Sequence, residues 1–170
     1  GLLAQMTVNE RFVVGDLATG LGAELRIAVD VHGPSWVNAD RVELFANGIK
    51  VREQAIAPTT AARKARVEWT LPRPAHDVHL VAIATGPGVT APYWETPRPY
   101  QPTSKVFNPR VIGSTNPIWI DADGDGKFSA ARTYAAALVQ QAAGDPARLQ
   151  SLLAGYDQAV RVQAADVAAG

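Results

Sequence analysis

The sequence contains no cysteine. This absence excludes disulfide bonds, thiol catalysis and zinc sites built from thiolates. The sequence also has no excess charge of either sign, because 16 basic residues balance 16 acidic ones. A neutral composition lacks the electrostatic signature of a nucleic-acid-binding protein, so we expect no nucleic-acid partner.

Long hydrophobic runs are missing as well. No apolar stretch approaches the roughly 20 residues that a membrane-spanning helix needs, so we expect no membrane span. The opening "GLLAQMTVNERF" lacks the basic region followed by an apolar stretch that is typical of a signal peptide. Because the sequence opens on Gly1 and has its single methionine at position 6, it reads like part of a longer precursor. Its 170 residues suffice for one domain with a core, with or without a small appendage.

The composition changes along the chain. Residues up to about 121 are rich in Val, Ile, Trp, Pro and Gly, whereas residues 129–170 are dominated by Ala, Gln, Leu and Arg. The first set favours strands and the second favours helices. The sequence therefore predicts a β domain over residues 1–128 and a helical tail over residues 129–170. We expect the helices to pack on the β domain, on each other or on a neighbouring domain.

Alternating apolar residues indicate the strands. In "ELRIAVDVHG" and "ARVEWTL" the residues expected to face the core are Leu25, Ile27, Val29 and Val31, and Val67, Trp69 and Leu71. "RVIGSTNPIWI" is predicted as one last strand. Short strands separated by Gly and Pro at intervals of roughly ten residues predict a mainly β fold, an antiparallel immunoglobulin-like β-sandwich.

The pair Asn47-Gly48 predicts a two-residue β-hairpin turn. The register that follows from this turn places the apolar residues of both strands on one face. It pairs Ala46 with Ile49, Phe45 with Lys50, Leu44 with Val51 and Glu43 with Arg52.

Two amphipathic helices are expected in the tail, as a C-terminal pair. Ser129 is the predicted N-cap of the first, and Asp145-Pro146 supplies the cap and first turn of the second. The apolar stripe of the second helix consists of Leu149, Leu152, Leu153, Tyr156 and Val160.

The loop "DADGDGKFSAAR", which follows "NPIWI", resembles the calcium loop of an EF-hand or a dockerin. Its aspartates occupy the first, third and fifth places and Gly126 the sixth. The candidate calcium ligands are Asp121, Asp123, Asp125, the carbonyl group of Lys127 and the ninth-place Ser129. Oxygen-rich loops of this kind suit calcium better than zinc or copper.

Two departures from that pattern leave an alternative open. Arg132 stands at the twelfth place, where a bidentate acid belongs, and a strand precedes the loop where a helix is expected. Calcium binding should therefore be weak, in the millimolar range of extracellular sites, unless an acid from elsewhere completes the shell. In the alternative, the aspartates only cap backbone amides in a strand-to-helix turn.

The remaining polar residues form no catalytic pattern. On a strand, His76 and His79 would point to opposite faces and could not share one ion unless His76 lies in the turn, so a solvated or satisfied polar role is expected. No serine lies in a G-x-S-x-G setting, and phosphate loops, dinucleotide fingerprints and zinc helix motifs are missing. We therefore expect that this chain is not itself an enzyme.

A proline-rich segment, residues 86–109, contains several aromatic residues. Tyr93, Trp94 and Tyr100 could form a platform for stacking on a glycan or for docking a protein. Alternatively, these rings cover the open end of the sandwich.

Three strings together are similar to one known family. "GPSWVNADRVELFANGIKV", "VHLVAIATGPGV" and "TNPIWIDADGDGKF", the last followed by an Ala-rich helix, resemble the C-terminal domain of secreted PHP-superfamily metallohydrolases of the CehA/McbA type. The resemblance extends over roughly residues 8–165. It implies a noncatalytic, immunoglobulin-like accessory domain with an extracytoplasmic location.

The same resemblance implies a partner. In that family the metal-binding histidines and aspartates lie in an upstream barrel domain, and their motifs do not occur here, so no catalytic residue carries over. The implied partner is the upstream catalytic domain of the same precursor. The alternative function is a calcium-dependent carbohydrate-binding module that uses Tyr93, Trp94 and Tyr100.

Overall fold

Ten strands and three α-helices make up the described part of the chain. The computed structural model describes residues 1–91, 95, 97 and 106–169. The strands are β1 (Leu3–Val8), β2 (Phe12–Val13), β3 (Leu17–Ala18), β4 (Glu24–His32), β5 (Arg41–Ala46), β6 (Ile49–Ala55), β7 (Arg63–Pro72), β8 (Val78–Pro87), β9 (Arg110–Ser114) and β10 (Ile118–Ile120). The fold is therefore mainly β, as the sequence predicts.

The strands form two sheets that share one apolar core. The first sheet has the order β2-β1-β4-β7, and the second has the order β3-β10-β8-β5-β6 with β9 also paired to β8. Buried side chains of both sheets form a single cluster. The predicted inward face of β4 is confirmed, because Leu25, Ile27, Val29 and Val31 are all buried in this cluster. We call this unit the two-sheet core.

The expectation of purely antiparallel pairing is wrong for one short strand. β3 runs parallel to β10, with Leu17 opposite Trp119 and Ala18 opposite Ile120. The preceding strand, β2, belongs to the other sheet. Because the chain crosses between the sheets around Gly15, which has a φ of 94°, the direction of β3 is set by this crossing and not by a hairpin.

The predicted last strand is divided in two. β9 and β10 both pair with β8, and residues 115–117 separate them. Pro117 has no N–H to donate to a ladder. Thr115 continues the contact with β8 through its side chain, whose Oγ1 accepts a hydrogen bond from Ala82 N at 3.0 Å, while Thr115 N donates to Ala82 O at 3.0 Å.

The β5–β6 hairpin has the predicted turn. The pairing of its strands follows the predicted register for the two residue pairs next to the turn and is shifted beyond them. Asn47 and Gly48 have φ values of 48° and 80°, as this type of turn requires. The predicted partners Ala46 with Ile49 and Phe45 with Lys50 are observed, but Leu44 faces Arg52 and Glu43 faces Glu53. A β-bulge adds one residue to β6, which neither the turn rule nor the apolar pattern reveals.

The described part of the tail, which ends at residue 169, contains three helices and not two. They are α1 (Ala131–Ala142), α2 (Pro146–Leu152) and α3 (Gln158–Ala169), with a 3₁₀ turn at Leu153–Gly155 between the last two. Four of their buried residues form a second cluster apart from the two-sheet core: Ala135, Leu138, Val160 and Ala164. None of the described helices is long and apolar enough to cross a membrane.

The helix caps explain where the predicted pair was wrong. Asp145 caps α2 as predicted, because its Oδ1 accepts hydrogen bonds from the N–H groups of Ala147 and Arg148. Ser129 is not the N-cap of α1; Ala130 takes that position without a side-chain hydrogen bond. The predicted second helix is interrupted after Leu152 by a 3₁₀ turn, and Asp157 Oδ1 accepts from Val160 N at 3.0 Å at the start of a new helix.

Gly86, the glycine of β8, should not be able to accept a side chain without a shift of the backbone. A Cβ atom built there would lie 1.9 Å from the carbonyl oxygen of Asn38, so the backbone must move. We expect Gly86→Ala to lower the free energy of unfolding by about 1–3 kcal/mol, measured by urea denaturation. Gly22→Ala is the matched control, because a Cβ there meets no atom within 4 Å. Equal effects of the two substitutions would contradict the close approach.

Candidate metal site

The acidic loop connects β10 to α1 and is organised by its first aspartate. Asp121 is 2% exposed. Its Oδ1 accepts a hydrogen bond from Gly124 N at 2.7 Å and its Oδ2 accepts one from Gly126 N at 2.9 Å. Both glycines have positive φ, 83° and 80°, which L side chains rarely adopt. The two glycines therefore allow the loop to turn back over the carboxylate of Asp121.

A fourth aspartate, Asp77, closes the loop from a distant part of the sequence. Asp77 is fully buried immediately before β8. Its Oδ1 accepts from Ala122 N at 2.8 Å and its Oδ2 accepts from Ser129 N at 2.8 Å. One carboxylate therefore bridges the beginning and the end of the acidic loop.

Local sequence patterns give no signal for this role of Asp77. The signal lies in strand pairing. Ile120 is the partner of Val78 in the antiparallel β8–β10 ladder, so the next pair outward is Asp121 and Asp77. The pairing of β8 with β10 would have to be known before the two acids could be placed together.

Three carboxylates converge at the loop. One oxygen from each of Asp77, Asp121 and Asp123 can be chosen so that all three atoms lie within 4.8 Å of one another. Asp123 is exposed, and its Oδ1 accepts from Asp125 N at 3.2 Å. The structure thus brings together two of the predicted ligands and adds Asp77 to them.

The other predicted ligands have different surroundings. Asp125 is not part of the convergent group, and its Oδ1 accepts from Lys127 N at 2.8 Å. Ser129 contributes its backbone N–H to Asp77. Arg132, at the twelfth place of the loop, turns to α3, where its Nη1 lies 2.6 Å from Asp166 Oδ2.

The charge of the three carboxylates is not offset by nearby basic side chains. Within residues 1–91, 95, 97 and 106–169, the ion pairs formed by Lys and Arg involve other acids. Each carboxylate oxygen has two lone pairs, so the oxygens that accept one backbone N–H retain capacity for a cation. Hard oxygen ligands, two of them on buried carboxylates, fit calcium or magnesium.

Tyr134 of α1 connects the helical tail to this group. Its hydroxyl donates to Asp123 Oδ2 at 3.0 Å and accepts from Asp77 N at 3.3 Å. Burial and the neighbouring carboxylate of Asp123 hold the pKa of Tyr134 well above its usual value. Tyr134 therefore remains a neutral hydrogen-bond donor at any physiological pH.

His76 is buried beside the same group, so it is not solvated, and at most one of its two ring nitrogens is satisfied. Its side chain packs against the rings of Tyr134 and Tyr156, with centroid distances of 5.6 and 5.1 Å. Neither ring nitrogen makes a hydrogen bond to the described part of the chain, although Nε2 lies 3.2 Å from Asp157 Oδ2. A buried polar atom in this state costs about 1–3 kcal/mol. His79 lies in β8 and is half-buried.

Asp157 attaches the tail to the hairpin turn. Its Oδ2 accepts from Asn47 Nδ2 at 3.0 Å, and Asn47 Oδ1 accepts from His79 N at 3.1 Å. Burial alone would raise the pKa of Asp157, but hydrogen bonds from Val160 N and Asn47, together with nearby His76, hold that pKa below its usual value. The aromatic residues Tyr93, Trp94 and Tyr100 lie outside the described residues.

The lowered pKa of Asp157 should make the attachment of the tail sensitive to acid. Its stabilising contribution is present above the unfolded-state pKa of about 3.8 and is lost as the pH falls through the lower folded-state pKa. We expect Asp157→Asn to be less stable than the wild type at pH 6 and to show a smaller loss of stability between pH 4 and about pH 2. Denaturant titrations across this range measure both effects.

Asp166→Asn is the control for that comparison, because it removes an exposed carboxylate from α3, the helix that begins directly after Asp157. It should leave the pH dependence close to that of the wild type. Parallel stability curves for the wild type and Asp157→Asn would contradict the role given to Asp157.

Known proteins supply no template for this site. Comparison of the chain with protein-family models, with curated proteins and with solved structures gave no match.

Proposed function

We propose that this chain is a noncatalytic accessory domain of a larger, extracytoplasmic metallohydrolase of the PHP type. In this proposal the two-sheet core is an immunoglobulin-like sandwich. Calcium bound by Asp77, Asp121 and Asp123 fixes the helical tail on it. The catalytic domain of the same precursor is the partner.

The observation that carries the proposal is how the buried carboxylates are used. All four oxygens of Asp77 and Asp121 accept backbone N–H groups. A general acid or base must exchange a proton with a substrate, and such a carboxylate is usually directed at a cleft. Carboxylates that hold backbone amides on several sides favour a structural role.

Calcium fits this arrangement on chemical grounds. Calcium takes six to eight oxygen ligands and accepts irregular geometry, so three carboxylates leave room for backbone carbonyl groups and water. A group without a bidentate acid from the twelfth place of the loop suits a weak site. Sites of this strength, with dissociation constants of about 10⁻⁴–10⁻³ M, are typical of extracellular domains.

The position of the three acids explains what bound calcium would do. Asp77 precedes a central strand, Asp121 ends β10, and Asp123 bonds to Tyr134 of α1. A cation shared by all three would hold a strand of the two-sheet core, the loop and the first helix in one arrangement. Its effect would be to stiffen the joint between core and tail.

The accessory role rests on the resemblance of the three quoted strings to PHP-type hydrolases, and it has its own test. A coding sequence upstream of Gly1 that specifies a domain rich in His and Asp should be co-expressed with this chain. We expect the two products to co-purify, because an accessory domain packs on its enzyme. Separate elution of two folded products, or metal-independent hydrolysis by this chain alone, would contradict the proposal.

Calcium should stabilise the chain measurably. At a concentration ten times the dissociation constant, binding to the folded state adds about 1.4 kcal/mol. For a chain of this length, that corresponds to a rise in Tm of about 3–5 °C. Calorimetric titration and thermal unfolding with and without chelator measure the two quantities, and no heat with no rise in Tm at millimolar calcium would contradict the site.

Asp123→Asn and Asp125→Asn form a matched pair for locating the ion. Both aspartates are exposed, and each accepts one backbone N–H two residues ahead. Only Asp123 belongs to the convergent group. We expect Asp123→Asn to weaken calcium binding on the order of tenfold, since the site loses one of three charges, and Asp125→Asn to have a small effect. The reverse order would favour the ligand set of an EF-hand loop over the one proposed.

A further inference from the structure

The chain has a single Asn-Gly pair, Asn47-Gly48, and it forms the turn of the β5–β6 hairpin. In such a pair the backbone nitrogen of the glycine can attack the side-chain amide carbon of the asparagine, because glycine has no side chain to hinder the approach. The other four asparagines precede Glu, Ala or Pro. Gly48 is exposed and Asn47 is half-buried, so water reaches the turn. Asn47 is therefore the asparagine of this chain that is chemically most prone to deamidation.

The side-chain amide of Asn47 is held at both ends. Its Oδ1 accepts a hydrogen bond from His79 N at 3.1 Å. Its Nδ2 donates to Asp157 Oδ2 at 3.0 Å and to Asp77 O at 3.5 Å. The partners identify the two ends, because a backbone N–H only donates, whereas a carboxylate and a carbonyl oxygen only accept.

The docked tail should therefore slow an attack on this amide. Before Gly48 N can reach the amide carbon, the side chain of Asn47 must turn toward it and leave its partners. One of these partners, Asp157, directly precedes α3 of the helical tail. Release of the tail frees the Nδ2 end of the amide.

Conversion of the amide to a carboxylate would change its contact with the tail. One carboxylate oxygen could still accept from His79 N. The other would replace Nδ2 and face Asp157 Oδ2 and Asp77 O, so that three acceptors meet without a donor. The two carboxylates would also repel each other. In the described part of the chain, neither Lys nor Arg forms an ion pair with Asp157 that could offset this repulsion.

We propose that Asn47 is a deamidation site that the docked tail protects, and that its conversion to a carboxylate prevents the tail from docking again. In the first step Gly48 N forms a bond to Asn47 Cγ, the Cγ–Nδ2 bond breaks, and ammonia leaves with the proton of the Gly48 amide. Water then opens the five-membered ring at one of its two carbonyl groups and returns a proton to Gly48 N. The products are aspartate or isoaspartate. The reaction consumes only water and needs neither an enzyme nor a metal.

The rate of the reaction tests the protection. Mass spectrometry of the tryptic peptide 42–50 follows the change from amide to acid during incubation at mildly alkaline pH. We expect Asp157→Ala to react about tenfold faster than the folded wild type, because the amide loses a hydrogen bond to a charged acceptor. Asp166→Ala is the matched control, since Asp166 is an exposed acid of α3 that pairs with Arg132, and it should react at the wild-type rate. All three chains should react faster still, and at one common rate, when unfolded in urea.

The effect on the tail is tested with two substitutions at Asn47. Asn47→Asp introduces the carboxylate, whereas Asn47→Gly removes the same hydrogen bonds without adding charge and accepts the positive φ of 48°. NMR cross-peaks between the rings of His76 and Tyr156, whose centroids lie 5.1 Å apart, report whether the tail is docked. We expect these cross-peaks to be retained, although weakened, in Asn47→Gly and lost in Asn47→Asp. Wild-type protein purified after deamidation should have lost them as well.

Two results would overturn the proposal: equal deamidation rates for the wild type and Asp157→Ala, or ring cross-peaks as strong in Asn47→Asp as in Asn47→Gly. If Asp157→Ala fails to fold, the rates of the folded and the urea-unfolded wild type replace the first comparison. A folded chain that deamidates as fast as the unfolded one would exclude protection by the tail.

Discussion

The carboxylate of Asp77 is the constraint on which the joint between strands and helices depends. It is fully buried, and its two oxygens hold the N–H groups of Ala122 and Ser129 at opposite ends of the acidic loop. Without it, both amides would need other partners, and a buried amide left without one is costly. Because Asp77 immediately precedes β8, the loop is positioned by a strand that pairs with β5, β9 and β10. The position of the start of α1 is therefore fixed relative to β8.

The helical tail is held to the two-sheet core by polar and aromatic contacts. Its apolar residues form a cluster of their own, separate from the cluster between the sheets. The Tyr134 hydroxyl donates a hydrogen bond to Asp123, and Asp157 accepts one from Asn47. The ring of His76 packs against the rings of Tyr134 and Tyr156. Burial of apolar area is non-directional, whereas hydrogen bonds and ring contacts fix an orientation. A few side chains therefore determine how the tail lies on the core.

The sequence predicts those parts of this arrangement that depend on near neighbours. The alternation in β4, the turn at Asn47-Gly48 and the cap at Asp145 follow from rules that span a few residues, and the structure has all three. The β-bulge in β6 and the break at Asp157 escape such rules, because one extra residue or one cap does not change the apolar pattern. The roles of Asp77 and His76 cannot be predicted from the sequence for another reason. Their roles arise from the pairing of β8 with β10 and from the packing of Tyr156, contacts between residues far apart in the sequence.

The candidate metal site is coupled to folding, because one of its acids immediately precedes a strand and the other two lie in the distant acidic loop. A loop that carries all its own ligands can bind calcium as an isolated segment. Here Asp77 reaches Asp121 only after β8 and β10 have paired, so the three carboxylates converge in the folded chain alone. Binding that requires the folded state adds its free energy to folding. In the proposed calcium site, the same three residues would therefore make the stability of the fold depend on the calcium concentration.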